Sequence, residues 1–303
     1  MKILVSGSHG LVGKALIRTL TSEGHEVIRL VRRGRSVGSP EIEWHPNQGL
    51  IDAEHLEGFD AVVHLAGESI ASGRWTAEKK QKIRDSRVKG TELLSRSLAR
   101  LSRPPATFVC ASAIGYYGDR GDEVLTEQST RGNGFLAEVC VEWENATASV
   151  AEKGIRIVNT RFGIILAADG GALAKMLPPF RMGIGGRIGS GKQWMSWIAL
   201  DDVVGGIRFG LVTETVGGPV NFVAPGPVTN SEFTKTLGRI LSRPTFFPIP
   251  AFGVRLAFGE MADALLLSSQ RVQPQQLLDS GYSFKFRQVE DALRHALQSG
   301  GSF

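Results

Sequence analysis

The chain has little cysteine. Cys110 and Cys140 are its only two among 303 residues, which excludes a disulfide framework and fits a reducing compartment. Long hydrophobic runs are missing as well, so no segment is expected to span a membrane. The first strand begins at residue 2 and leaves no room for a signal or transit peptide, so a cytoplasmic protein is expected. There is no internal repeat and no low-complexity tract. Nor is there a large charge imbalance: the net charge is +5 and the pI near 9.4. Apart from Arg32-Arg33-Arg35 the basic residues are spread along the chain. That spread argues for an anionic small ligand and against nucleic acid. No His or Cys stands at ligand spacing beside Asp201-Asp202, so no metal is expected.

What is present reads as an ordinary globular mixture, 42% hydrophobic and 21% charged. Its length suits one large α/β domain with a smaller lobe. The organising stretch is the first thirty residues. Met1 to Ser6 reads as a buried strand, Gly7-Ser8-His9-Gly10-Leu11-Val12-Gly13 as a turn, about Val12 to Glu23 as a helix, and Glu26 to Val31 as a second strand. Strand, glycine-rich turn and helix make a dinucleotide-binding unit, with the helix N-terminus offering free N–H groups to a pyrophosphate. A turn without a ligand is the plainer alternative. The second strand ends on Arg32 and Arg33 with no acid. Guanidiniums suit a 2′-phosphate, so the cofactor expected is NADP(H) and not NAD; a solvated basic turn is the alternative.

The steady alternation of strands and helices up to about residue 165 predicts a doubly wound parallel sheet covered on both faces. Asp60 to Gly67 is a buried strand that should present Leu65, Ala66, Gly67 and Glu68 to the cofactor, with His64 in the core. Helices are expected over 77–101 and 134–153, and strands over 107–111 and 156–160. The strand from Thr107 delivers Ser112 to the ligand edge, just before Tyr116 and Tyr117. From about Gly170 the composition shifts to glycine, Pro178-Pro179 and the residues Arg181, Arg187, Lys192, Trp194 and Trp197. This reads as a substrate-binding lid or, alternatively, as an Ω-like loop with buried tryptophans. Asp201-Asp202 is expected to cap a helix to Thr213. A strand over 220–224 and helices over 231–241, 252–267, 273–279 and 289–297 complete the chain. The expected organisation is a nucleotide-binding domain of 1–168 plus 201–223, and a substrate lobe of 169–200 plus 224–303.

Several motifs carry a more specific resemblance. They are the glycine turn, Val63-His64-Leu65-Ala66-Gly67-Glu68, Ser86-Arg87-Val88-Lys89-Gly90-Thr91 and Ser112-Ala113-Ile114-Gly115-Tyr116-Tyr117-Gly118. Further on come Arg161-Phe162-Gly163-Ile164-Ile165-Leu166, the run from Gly189 to Ile198, and Gln270-Arg271-Val272-Gln273-Pro274. With them the chain resembles, nearly end to end, an extended, atypical short-chain dehydrogenase/reductase. The group is the "epimerase family" that ends in a C-terminal domain of unknown function. The resemblance implies a Rossmann core with a smaller, mainly helical C-terminal lobe. It implies NADP(H) binding through Gly7, Ser8, Gly10, Leu11, Val12, Gly13, Arg32, Arg33, Leu65, Ala66, Gly67, Glu68, Arg87, Arg161 and Gly163. It supplies no substrate, and some relatives are cell-division or plastid-division factors.

The chain also departs from the wider superfamily, whose members use Ser or Thr and then Tyr-x-x-x-Lys. Ser112 matches the serine, but Phe135 and Val139 stand at the dyad positions and neither moves a proton. The substitute acids are Tyr116 and Tyr117, then Cys140 and Glu68. Arg187, Lys192, Trp194 and Trp197 are the substrate-side candidates, and their charge favours an anionic small molecule. Three readings stand: an NADP(H)-dependent oxidoreductase or epimerase-like enzyme, an inactive NADP(H)-sensing scaffold, or a cleft for another ligand. A homodimer would use the helices over 77–101 and 134–153, but the charges of the first favour a monomer equally.

Overall fold

The computed structural model describes residues 1–32 and 40–299. Strand β1 (Lys2–Ser6) is buried over its last four residues. Helix α1 (Leu11–Ser22) returns along it and turns Gly13, Leu16, Ile17 and Leu20 inward. Next come β2 (Glu26–Val31), β3 (Glu41–His45), the short β4 (Leu50–Ile51) and the fully buried β5 (Ala61–His64). Helix α2 (Ala77–Ala99) starts at Thr76, whose hydroxyl accepts from the Lys79 amide. Strands β6 (Thr107–Ala113) and β7 (Val124–Leu125), helices α3 (Phe135–Asn145) and α4 (Ala148–Glu152), and strands β8 (Arg156–Phe162) and β9 (Ile164–Leu166) follow. The later elements are α5 (Gly171–Arg181), β10 (Trp194–Met195), β11 (Trp197–Ala199), α6 (Leu200–Val212), β12 (Gly218–Phe222) and β13 (Val228–Thr229). The chain closes with α7 (Asn230–Leu241), α8 (Ala251–Phe258), β14 (Arg271–Val272), α9 (Gln275–Asp279) and α10 (Val289–Ser299).

The main sheet runs β12-β8-β6-β5-β1-β2-β3-β4, parallel except where β4 turns back on β3. The chain starts at the centre, moves outward through β2 and β3, then crosses to β5 on the other side of β1. The β1/β5 junction is therefore the switch point, where the outgoing loops diverge and leave a crevice. Alternating strand residues feed two cores. Ile3, Val5, Val63, Val109 and Val158 meet α1 and α6, whereas Leu4, Val62 and Phe108 meet Leu93, Leu94, Leu98 and Trp143 of α2 and α3. A third core joins α5, α7 and α10 around Trp197.

Four local expectations change. The helix expected over 134–153 is two, α3 and α4. They part at Thr147, whose hydroxyl donates to the Glu144 carbonyl at 2.6 Å. The helix expected over 252–267 ends at Gly259 (φ 61°), before a short π-helical turn, Ala262–Leu267. Residues 171–181 form a helix despite Pro178 and Pro179. Each proline forfeits an amide donor, and the burial of Leu173, Leu177 and Phe180 offsets the loss. Asp201 and Asp202 do not cap α6, whose N-cap is Ala199. Buried Asp202 instead accepts from the amides of Lys285 and Phe286 at 2.7 and 3.0 Å, and Asp201 pairs with Lys285 and His295.

Candidate functional site

The crevice is built by close backbone approach. Gly7 turns out of β1 with φ 67°, and a Cβ there would lie 2.6 Å from the Leu65 carbonyl. A Cβ on Gly13 would lie 2.3 Å from the Gly7 oxygen. Gly13→Ala is therefore expected to push α1 off the turn and destabilise the chain by about 1–3 kcal/mol, as overpacking does. Urea unfolding checks this, and an unchanged midpoint would show that the turn has room. Helix α1 begins after Gly10 with no side-chain cap and no acid in its first turn, so its leading N–H groups are available to an anion. Ser8 is buried beside His9, Leu11 leans on Gly170, and Val12 packs toward the sheet.

Beneath the turn, Ser6 Oγ takes the Leu65 amide at 3.1 Å and pairs with His64 Nδ1 at 2.6 Å. His64 is fully buried between Trp44 and Phe108, and burial pushes its pKa down to about 4. It is a neutral support of the crevice floor. At the rim, Lys79 bonds Glu68 at 2.6 Å and holds that carboxyl below its ordinary range, with Arg32 and Arg87 adding to the effect. Arg32 is exposed at the end of β2; Arg33 lies outside the described residues. The Arg87 guanidinium lies against Gly67, donates to the Glu68 carbonyl at 3.0 Å and sits 5.0 Å over the Trp143 ring. The loop after Glu68 is tied to the C-terminal lobe. Arg74 donates to the carbonyls of Leu256 and Ala257, Lys175 to that of Ala71, and Lys80 pairs with Glu260.

Beyond β5, three strand ends are in register. Ser112 pairs with Arg161 across β6 and β8, and Arg161 with Asn221 across β8 and β12. Residues so paired in a parallel sheet share a face. Glu144 reaches this row from α3. It accepts from Arg161 Nε and Nη2, each at 2.8 Å, and from the Ser112 hydroxyl at 2.6 Å. Burial would weaken the Arg161 cation, but Glu144 overrides that and holds its pKa above the ordinary value. Arg161 also donates to the Tyr117 hydroxyl, which donates to Asn221 at 2.7 Å. The Asn221 backbone N–H donates to Glu127, whose carboxyl burial raises, and its side-chain NH2 donates to the Gln273 carbonyl. Tyr117 is fully buried, and burial pushes its phenol up to about 12. Tyr116 is half-buried, with the Arg161 guanidinium 3.5 Å from its ring centre.

The remaining sequence candidates fall in different places. Cys140 is buried against the Ala113 carbonyl and pushed up to about 12 by burial. Phe135 meets Trp75 edge-on, and Val139 is buried. Gly163 lets β11 approach, since a Cβ there would lie 2.5 Å from the Ser196 oxygen. Arg187 and Lys192 are exposed, and Arg187 donates to the Ser190 carbonyl. Trp194 is half-buried, bonded to Asp122 at 2.8 Å under the Arg271 guanidinium. Trp197 lies in the C-terminal core and donates to the Gly226 carbonyl at 2.8 Å. It stands on β11, paired with Ile164 of β9, so it supports the core and does not face a ligand. Glu144, Asn221, Glu127 and Lys79 were not foreseen. Among the described residues no cluster of potential metal ligands occurs, and no helix is long and apolar enough to cross a membrane.

The model of the NAD dependent epimerase/dehydratase family matches residues 3–222, and a domain of unknown function, DUF1731, matches 249–296. An epimerase family protein of Mycobacterium tuberculosis is 44% identical over 99% of this chain and 98% of its own length. One from Bacillus subtilis is 36% identical over 97% of each. The crystal structure of human epimerase family protein SDR39U1 with NADPH superimposes with a TM-score of 0.89 at 34% identity, covering 98% of this chain and 99% of that one. The chain therefore belongs to the NAD dependent epimerase/dehydratase family, in the form that carries DUF1731 at its C-terminal end.

Proposed function

We propose that the β1/β5 crevice binds NADP(H) and that the chain is an oxidoreductase or an epimerase-like protein working without the usual Tyr-x-x-x-Lys pair. The uncapped start of α1, beside the Gly7–Leu65 contact and with Arg32 at the end of β2, carries this reading. The NADPH of the human relative supports it. The free amides of α1 would hold the pyrophosphate, and Arg32 and Arg33 the 2′-phosphate. When bound, the cofactor supplies hydride exchange at its nicotinamide. The substrate would be a carbonyl or alcohol, and anionic if Arg187 and Lys192 reach it.

Tyr116 is the proton-bearing residue this reading selects. The Tyr117 hydroxyl is used by Asn221 and Arg161, and the Ser112 hydroxyl by Glu144. That same sequestration of Ser112 and Tyr117 favours a second reading, an NADP(H)-responsive scaffold that does no chemistry. A parallel fluorescence titration with NADPH and NADH tests the cofactor site. Wild type should bind NADPH at least ~10-fold more tightly than NADH, and Arg32→Ala should lose about 1–3 kcal/mol of NADPH affinity, the worth of a charge-assisted bond. Failure to bind either nucleotide sinks both readings. Binding followed by turnover of a carbonyl substrate, lost in Tyr116→Phe and kept in Tyr117→Phe, selects the enzyme.

A further inference from the structure

The largest exposed apolar side chains of the C-terminal part lie on two adjacent chain segments. Phe246, Phe247, Phe252 and Leu256 are 85, 73, 74 and 75% exposed, and Met182 and Ile184 are exposed with them. Two chain segments make this surface, 181–192 and 243–259. They run side by side: Arg243 Nε donates to the Arg181 carbonyl at 2.8 Å, and the Ile249 N–H donates to the Arg187 carbonyl at 2.8 Å. A soluble chain seldom spends this much aromatic surface on water without a partner.

The charge on the two segments is one-sided. Together they hold Arg181, Arg187, Lys192, Arg243 and Arg255, and no Asp or Glu. All five cations are exposed. Arg255 pairs with Asp263. The other four have no ion pair among the described residues. The two segments therefore combine exposed apolar side chains with unpaired cations. The aromatic loop is also prepared for insertion. Phe246 and Phe247 stand between Pro244 and Pro248, which restrict the loop before anything binds, and Phe252 and Leu256 sit four apart on the open face of α8.

We propose that this surface docks reversibly on an anionic phospholipid bilayer, with the phenylalanines and Leu256 at the acyl boundary and the unpaired Arg181 and Arg243 on the headgroups. A second copy of the chain fits poorly, because a two-fold contact would set one group of cations against another. A bilayer is soft, accommodates exposed apolar side chains without a preformed groove and rewards each nearby cation. Surface docking needs no spanning helix, so it is compatible with the lack of long apolar runs.

The test is co-sedimentation of the full chain with vesicles of phosphatidylcholine alone and with roughly 30 mol % phosphatidylglycerol, near the charge of a natural anionic leaflet. The expected result is binding to the anionic vesicles only, weakening as salt is raised. Phe246→Ser with Phe247→Ser should lower the partition coefficient at least ~10-fold by removing buried apolar area. Arg181→Glu and Arg243→Glu should each lower it about fivefold or more. These side chains are exposed, so melting temperature and NADPH affinity should stay at wild-type values and certify the fold. Absence of binding to anionic vesicles overturns the proposal, as does binding indifferent to the phenylalanines. A wild-type dimer in sedimentation velocity that the same double variant dissolves would reassign the surface to a second copy.

Discussion

Glu144→Ala is expected to lower the free energy of unfolding by about 3–5 kcal/mol, the cost of stranding one partner of a buried ion pair. Arg161 is 3% exposed and Glu144 13%, so water reaches neither charge freely. Without the carboxylate, the guanidinium keeps the Tyr117 hydroxyl, the Tyr116 ring and the more distant Glu127 carboxyl as partners for its charge. The Ser112 hydroxyl loses its acceptor at the same time. The double variant Glu144→Leu, Arg161→Leu should cost less than the two single changes summed, because removing both charges leaves no orphan. Guanidinium denaturation of wild type, both singles and the double gives the coupling directly. A loss below about 1 kcal/mol in Glu144→Ala would place this pair among solvent-screened contacts, whose worth is that small.

The same network shows where sequence reading stops. The β1–turn–α1–β2 unit was legible because its signals are local: an apolar run, three spaced glycines, and one apolar face on α1. The main strands and helices up to Phe162 followed from the same alternation, but not the short β4 and β7 or the break between α3 and α4. Glu144 carried no such signal. It lies 32 residues from Ser112 and 17 from Arg161, and only packing of α3 on the sheet brings the three together. Asp202 misled for the same reason, since a carboxylate at a helix start reads as a cap while its acceptors are used 83 residues away. Helix α5 was hidden by Pro178 and Pro179, whose local penalty the third core outweighs. Trp197 looked like a ligand contact beside charged and glycine residues. The whole stretch Met195–Ala199 is buried, with Met195, Trp197 and Ala199 in the third core and Ile198 in the first, so this strand is covered on both faces.

His64 makes the fold expected to be acid-sensitive in a defined window. In the unfolded chain it takes a proton near pH 6.5, and in the fold only near 4, because the buried ring between Trp44 and Phe108 resists the charge. A depressed histidine pKa means the unfolded state binds the proton first. Stability from this group is therefore complete above pH 6.5, falls as pH drops toward 4, and changes no further below that. The gap is worth about 3 kcal/mol in total. Carboxylates titrate in part of the same range, so the clean readout is a difference. His64→Asn keeps an acceptor for the Ser6 hydroxyl and does not titrate. It should cost stability at pH 7.5, where its smaller side chain packs less well, yet lose less than wild type on acidification. Denaturant unfolding of both proteins between pH 7.5 and 4.5 should show the gap between them closing by about 2–3 kcal/mol. The loss would reach the crevice itself, because Ser6 links the ring to the Leu65 amide against which Gly7 turns. A constant gap across that range would mean that the ring takes up its proton inside the fold as easily as outside, and that His64 is not the dry support its burial describes.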